Sequence, residues 1–391
     1  MSGGVLRTVC TAALAAVVVA GPAAAAPVAP DPAAGGAAKA PAGPAGANRS
    51  VGQLLSELRQ LYQQAEEATE TYNGTNAELK KRAAQAKKLD AALVAARAAL
   101  ADSRDEAGRL AREQYQGRSD FSAYLRLLLA RDPEHLLDQE HVIRRAAAGR
   151  AATVKRLTGA EKRADELATE SRKVLDRQQV LAAKQKKQRD TVRARLKAVE
   201  SMLATLSGSQ LTELSRLEQR DVEKAQGALA ASGALSSTRP PSSAGGEAVR
   251  YAIEQVGKPY VWGAEGPDSF DCSGLTSRAW AKAGQVIPRT SQEQWRQLRK
   301  VPVNGLRPGD LVVYFPKATH VAMYIGNGLV VQAPRPGSRV KVSPLASNPL
   351  LGAVRPDPLG APLSAYKTPR LPQGASSGSD TGYGSSSAPG R

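Results

Sequence analysis

A very long stretch of this chain holds a single proline, and that limits its fold more than any other feature. Of 25 prolines in 391 residues, Pro133 alone falls between residues 51 and 239. Proline lacks the N–H that a helix interior uses, and its ring clashes with the preceding turn. A stretch this long with one proline and few glycines therefore reads as helix. Apolar residues within it recur at alternating steps of four and three: Leu54, Leu58, Leu61, Ala65, Ala68, Tyr72, Thr75, Leu79, Arg82, Ala86, Leu89, Leu93, Ala96, Leu100, Ser103, Ala107, Leu110. Only Thr75, Arg82 and Ser103 break the seam. This is a coiled-coil period, and its helix would be about 85 Å long. A second, more polar seam runs Leu157, Ala160, Ala164, Leu167, Ser171, Val174, Gln178, Leu181, then Val192, Val199, Leu203 and Leu206. Two matched helical segments predict an antiparallel hairpin over residues 50–206. A parallel dimer of single long helices is the rival arrangement.

The joining segment is locally apolar, with Tyr115, Phe121, Tyr124 and Leu125 before Leu127-Leu128-Leu129. Asp132-Pro133-Glu134 then reads as a helix start: a capping Asp, proline at the first position and an acid near the positive end of the dipole. A small helical lobe is expected at the hairpin tip, near 113–143. An apolar tip on a rod either buries itself or docks on a partner.

Outside the rod, composition marks what does not build a core. Residues 1–26 read as a secretory signal: a basic start at Met1 to Arg7, a short apolar core over Cys10 to Ala20, and small residues for cleavage at Ala23 to Ala26. Secretion to the cell exterior or wall is the expected localisation. Residues 27–49 are an Ala/Pro/Gly-rich spacer expected to be disordered. Residues 207–246 lose the helical period and carry Pro240-Pro241-Ser242-Ser243 and Gly245-Gly246, the look of a flexible linker about 35 Å in mean span. Residues 358–391 read as a disordered Pro/Gly/Ser tail.

A compact domain is left at 247–357, where nine of the 16 aromatic residues fall. The net charge of +18 favours anionic surroundings. On the rod, however, basic residues alternate with acidic ones in the manner of a solvated face. Together with export, this argues against nucleic acid. The compact domain has 14 Lys/Arg against 8 Asp/Glu, enough for attraction to an anionic wall.

Cysteine counting points to chemistry. Cys10 leaves with the signal, so Cys272 is the one thiol of the mature chain, and a lone thiol in an oxidising compartment is a candidate nucleophile. Phe270-Asp271-Cys272-Ser273-Gly274-Leu275 leads into a helical run ending at Ala283, so Cys272 stands at a helix start, where the dipole favours thiolate. Strands follow at Leu311 to Phe315, His320 to Gly326 and Leu329 to Ala333, with Asn327-Gly328 as a hairpin turn. His320 is the one histidine outside the rod and hence the candidate base. Gln332 lies at a similar distance across the turn, where it can accept from the imidazole. One His and one Cys are too few for an ordinary metal site, and no cofactor is expected.

These residues sit in a known pattern. The domain resembles the NlpC-type papain-like peptidases of bacterial cell walls. The matching segments are Gly257-Lys258-Pro259-Tyr260-Val261-Trp262-Gly263, Asp271-Cys272-Ser273-Gly274-Leu275, Pro288-Arg289-Thr290-Ser291, Arg307-Pro308-Gly309-Asp310-Leu311 and His320-Val321-Ala322-Met323-Tyr324-Ile325-Gly326. The resemblance implies an α+β papain-like fold with a small antiparallel sheet. It also implies hydrolysis of peptidoglycan stem peptides between D-glutamate and the diamino acid. Cys272 would be nucleophile and His320 base. Gln332 would stand where the family carries a polar third residue, often His or Glu. Tyr260 would hold the oxyanion region, with Ser273 and Ser291 as further oxyanion or substrate-binding residues.

The rod resembles the coiled coils of division-associated members, which implies a membrane division complex docking on the tip. A domain beside such a rod can also be covered by it. Three other readings stay open: a non-catalytic activator of other wall hydrolases, an amidase or acyltransferase on the same fold, and a nucleic-acid binder.

Overall fold

The computed structural model describes residues 50–116, 133–235 and 239–376. The expected signal, the spacer and most of the expected tip lobe lie outside these residues. Helix α1 (Val51–Tyr115) begins where Ser50 and Gln53 cap each other: Ser50 Oγ accepts the Gln53 N–H, and Gln53 Oε1 accepts the Ser50 N–H. Helix α2 (Pro133–Ala204) starts with the proline at its first position. The two run antiparallel as the expected hairpin. Gln185 pairs with Asn76 at 2.8 Å and Arg195 with Gln64 at 2.9 Å, while Thr153 reaches Glu106 at 3.2 Å. Along the seam Leu54, Leu58, Ala65, Leu93 and Ala96 are buried on α1, and Ala164, Ser171, Val174, Val192 and Val199 on α2.

The expected flexible linker over 207–246 is instead largely a third helix, α3 (Gly208–Ala231). Ser207 and Gln210 form a second reciprocal cap. Leu214 is fully buried against Leu54 and Leu55. Further along, Gln226 donates to the Gly328 carbonyl at 3.0 Å and accepts the Ala346 N–H at 2.9 Å. The prolines and glycines that suggested a linker begin only after this helix. A short apolar stripe suffices to hold α3, because its partners come from elsewhere in the chain.

The C-terminal domain starts four residues before the expected Glu247, at α4 (Ser243–Glu254), capped by Ser242. It continues through α5 (Cys272–Lys282), α6 (Ser291–Gln297) and six strands: β1 (Arg299–Val301), β2 (Leu311–Tyr314), β3 (His320–Gly326), β4 (Leu329–Gln332), β5 (Lys341–Pro344) and β6 (Leu350–Arg355). The antiparallel sheet has the order β1-β6-β2-β3-β4-β5. On one face Leu311, Val313, Val321, Met323 and Val331 meet Val249, Ala252, Leu275 and Trp280 of α4 and α5. On the other, Tyr314, Ala322, Tyr324 and Val330 are covered by Leu345, by Leu229 near the end of α3 and by Leu235 in the turn after it. With both faces covered, β3 reads as a nearly continuous apolar run rather than an alternation.

The tail does not peel away at residue 358. The Leu363 N–H bonds to the Pro241 carbonyl at 2.8 Å, and the Ala375 carbonyl accepts the Val342 N–H at 2.8 Å, with Ala375 buried. Backbone groups make these ties, so a low-complexity sequence hides them. Residues 377–391 lie outside the described ones.

Candidate active site

Cys272 occupies the first position of α5, and the preceding Asp271 caps that helix, its Oδ1 accepting the Gly274 N–H. Gly274 is required here: a Cβ would lie 2.1 Å from the Ala264 carbonyl oxygen, so only glycine lets the 261–264 turn close over the helix. Arg289 grips Asp271 through Nη1 and Nη2, at 3.1 and 2.7 Å. The Arg289 side chain thereby ties the 288–291 motif to the cap of the nucleophile's helix. The Val321 backbone N–H acts on the Cys272 thiol, favouring its ionised form, which puts the thiol beside the start of β3, next to His320.

His320 and Gln332 meet as expected, although not as directly opposed residues. The register pairs Met323 with Val331, which leaves His320 and Gln332 on a diagonal. His320 Nε2 and Gln332 Oε1 are 2.8 Å apart. Gln332 Nε2 donates to Ser343 Oγ at 2.9 Å, so its oxygen faces the ring and Nε2 carries the proton. Nδ1 is then the nitrogen left to accept a proton in the cleft. The hairpin that sets this geometry turns at Asn327 and Gly328, whose φ values are +54° and +69°. Replacing Gln332 with alanine should lower turnover by about 10- to 100-fold, the scale of one positioned buried hydrogen bond. Gln332→Glu should keep most of the activity, because a carboxylate accepts from both Nε2 and Ser343. Steady-state turnover of the two variants checks this, and a silent Gln332→Ala would move the orienting role elsewhere.

Tyr260 is buried, and its hydroxyl is pushed well above the usual phenol range, chiefly by burial. Ser273 and Ser291 converge on one point. Ser273 Oγ accepts from Arg289 Nη1 at 2.8 Å, and its own proton has two acceptors in reach, Glu70 Oε1 at 2.7 Å and Asp271 Oδ1 at 3.4 Å. Ser291 presents both its N–H and its hydroxyl there.

The NlpC/P60 family model matches residues 257–352, the segment that carries every one of these groups. The C-terminal domain is an NlpC/P60 domain. The chain is 43 % identical over 116 residues to a Corynebacterium glutamicum protein named a probable endopeptidase, covering 30 % of this chain and 56 % of that one. It is 41 % identical over 126 residues to the peptidoglycan endopeptidase RipA of Mycolicibacterium smegmatis, covering 28 % and 25 %. It thus spans about half or less of these relatives. A crystal structure of an NlpC/P60 family protein from Bacillus cereus matches with 32 % identity and a TM-score of 0.29, covering 30 % of this chain and 42 % of that one.

The cleft of the NlpC/P60 domain is filled by α1. Glu66, Glu70 and Asn73 lie on one face of that helix, spaced by four and three, and all are buried. Glu70 Oε1 accepts from Ser273 Oγ at 2.7 Å and lies 3.9 Å from Cys272 Sγ. Its Oε2 accepts the Ser291 N–H at 2.6 Å. Glu66 Oε1 lies 3.6 Å from His320 Nδ1. Asn73 Nδ2 donates to Asp271 at 3.0 Å. The rim adds Tyr72 edge-on to Trp262 at 5.0 Å, Arg335 over the Tyr62 ring at 4.6 Å, and Lys317 on Glu67 at 2.9 Å.

This changes the state of the thiol. A helix start alone favours thiolate, but here burial pushes the Cys272 thiol well above its usual range, and Glu70, Asp271 and Glu66 push it further. With α1 in place Cys272 is an uncharged, covered thiol. Burial also raises Glu66 to about 8, opposed by Arg335 and assisted by Glu70. Glu70 is raised to about 7 by burial and by Asp271, against the pull of Arg289, Ser273 and Ser291.

Proposed function

We propose that the chain is a secreted peptidoglycan endopeptidase that cleaves the D-glutamyl–diamino acid bond through Cys272 and His320, and that α1 holds it closed. The observation that carries this reading is the Cys272–His320–Gln332 site of an NlpC/P60 domain with a glutamate of the chain's own rod hydrogen-bonded beside the nucleophile. Once α1 leaves, His320 Nδ1 takes the proton of Cys272 and the sulfur attacks the scissile carbonyl carbon. The imidazolium then protonates the departing amine. Water, deprotonated by His320, cleaves the thioester and restores the thiol. Gln332 holds the ring through its Nε2 proton and adds no charge. Release of α1 by a membrane division complex docking on the rod tip completes the proposal. Mass spectrometry of muropeptides tests the bond: the expected products carry a new amino end on the diamino acid, and a new sugar or lactyl end would instead mean an amidase.

Closure of this kind depends on protons. Glu66 faces Arg335, Tyr62, His320 and Glu70; Glu70 faces Asp271, Arg289, Cys272, Ser273, Ser291 and Asn73. In the closed state both acids keep protons up to about 7 to 8, whereas a freed helix gives them up near 4.5. The closed state binds more protons, so it is favoured at low pH and weakens as pH rises from about 4.5 through 8. A fluorescence-transfer pair on α1 and the NlpC/P60 domain should report opening that increases over this window. Glu66→Gln with Glu70→Gln should flatten the response, and a wild-type response that is already flat would contradict the linkage.

A further inference from the structure

The balance of basic and acidic residues on the rod fails between residues 172 and 197. That stretch of α2 holds ten Lys/Arg and two Asp. Within it Lys173, Arg177, Val180, Lys184 and Lys187 follow one another at steps of four, three, four and three, so they form a single line along the helix. All five are exposed, Val180 by 69 %. The line is about 21 Å long and contains no acid. Val174, Val192 and Val199 are buried in the seam with α1, so the line runs down a flank of the hairpin. Register shows which flank. Arg195 stands eighteen residues beyond Arg177, five full turns on, and therefore on the same line. It donates to Gln64 Oε1 of α1 at 2.9 Å. Gln64 is two residues from Glu66, which puts it about 200° around α1 from that acid. Glu66, with Glu70 and Asn73, faces the NlpC/P60 domain. The basic line thus lies on the flank of the rod turned away from that domain.

We propose that this line is a docking surface for a membrane leaflet rich in anionic lipid. Four cations on one exposed flank of a straight helix attract the phosphates of a planar headgroup layer. Val180, in the middle of the line, presents an apolar side chain to water in the free protein. A bilayer interface takes up such a side chain and a soluble phosphate polymer does not, which favours lipid. Asp176 and Asp190 lie off the line, the second 3.8 Å from Arg189, so the line itself stays positive. Docked in this way, the hairpin lies along the lipid with the NlpC/P60 domain on its far side. The domain is then held off the membrane by the thickness of the rod and turned toward the wall. The inference rests on the secreted-peptidase reading for what the domain meets there, but not for the existence of the lipid surface.

Co-sedimentation with vesicles tests this without reference to hydrolysis. The chain from Pro27 onward is used, because the apolar segment Cys10 to Ala20 would itself enter a bilayer, and its removal leaves every described element in place. Vesicles of equal parts phosphatidylglycerol and phosphatidylcholine should bind this chain at least about tenfold more tightly than phosphatidylcholine alone, and the difference should shrink as salt rises. Lys184→Glu with Lys187→Glu should lower the affinity for the anionic vesicles by at least about tenfold. Arg216→Glu with Arg220→Glu on α3 changes the net charge equally but off the line, and should change the affinity by less than about twofold. Val180→Trp should add a tryptophan emission that shifts to the blue when the anionic vesicles are present. Equal binding to both kinds of vesicle, equal losses from the two charge-reversed pairs, or an unshifted emission would overturn the docking surface. Binding to soluble polyphosphate with none to vesicles would overturn it as well. Loss of muropeptide release with vesicle binding intact would overturn the peptidase reading alone.

Discussion

Cys272→Ala should abolish muropeptide release, and His320→Ala should do the same, each by at least about a thousandfold, because on the proposed mechanism nucleophile and base act as a unit. The chain for this comparison carries Glu70→Ala and Tyr72→Asp, so that the cleft is open. The thiol-to-methyl change is small and leaves the Asp271 cap of its helix in place. His320→Ala leaves Gln332 bonded to Ser343, so the hairpin keeps one of its buried ties. Thermal unfolding of both variants should therefore stay cooperative while hydrolysis disappears. If both variants turn over muropeptides at near-parent rates, the thiol mechanism is wrong.

The second large effect is a gain. Loosening α1 with Glu70→Ala and Tyr72→Asp should raise turnover of the full chain by at least about tenfold, through loss of the buried carboxyl bonds and of the Trp262 contact. The gain arises because substrate meets only the open fraction of molecules, so its apparent affinity scales with that fraction. Glu66 is the less useful handle. Its carboxyl is buried with one oxygen that has no hydrogen-bond partner, and replacing it removes a strain on closure as well as a contact. A partner that draws the rod away would act in the same sense, provided it binds the open arrangement more tightly than the closed one.

The site was legible for local reasons. A lone thiol, a lone histidine outside the rod and an Asn-Gly turn left few ways to assemble a dyad, and the turn pins the strands that carry His320 and Gln332. The α5 start was legible from Asp271 and Gly274. The face of α1 that meets the cleft was not legible. The heptad seam of Leu54, Leu58 and Ala65 marks the face turned to α2. Glu66, Glu70 and Asn73 lie off that seam, and buried acids on a helix look the same in sequence as solvated ones. A signal was present in their spacing of four and three, but the apolar period that usually marks a contact was lacking. The α3 helix and the 358–376 segment were missed for a related reason. Both are held by partners distant in sequence: Leu214 by Leu54 and Leu55, and Ala375 by the backbone of Val342. Arg289 stands within a recognisable motif, but its grip on Asp271 and Ser273 shows only in three dimensions.

Closure of the Cys272 site by the chain's own first helix underlies each of these effects. Its most direct test is mass-spectrometric counting of muropeptides released by three full-length chains: wild type, Glu70→Ala/Tyr72→Asp, and that pair with Cys272→Ala. The account predicts slow release from the first, release faster by at least about tenfold from the second and none from the third. Equal release from the first two would contradict closure by α1, and undiminished release from the third would contradict catalysis by Cys272.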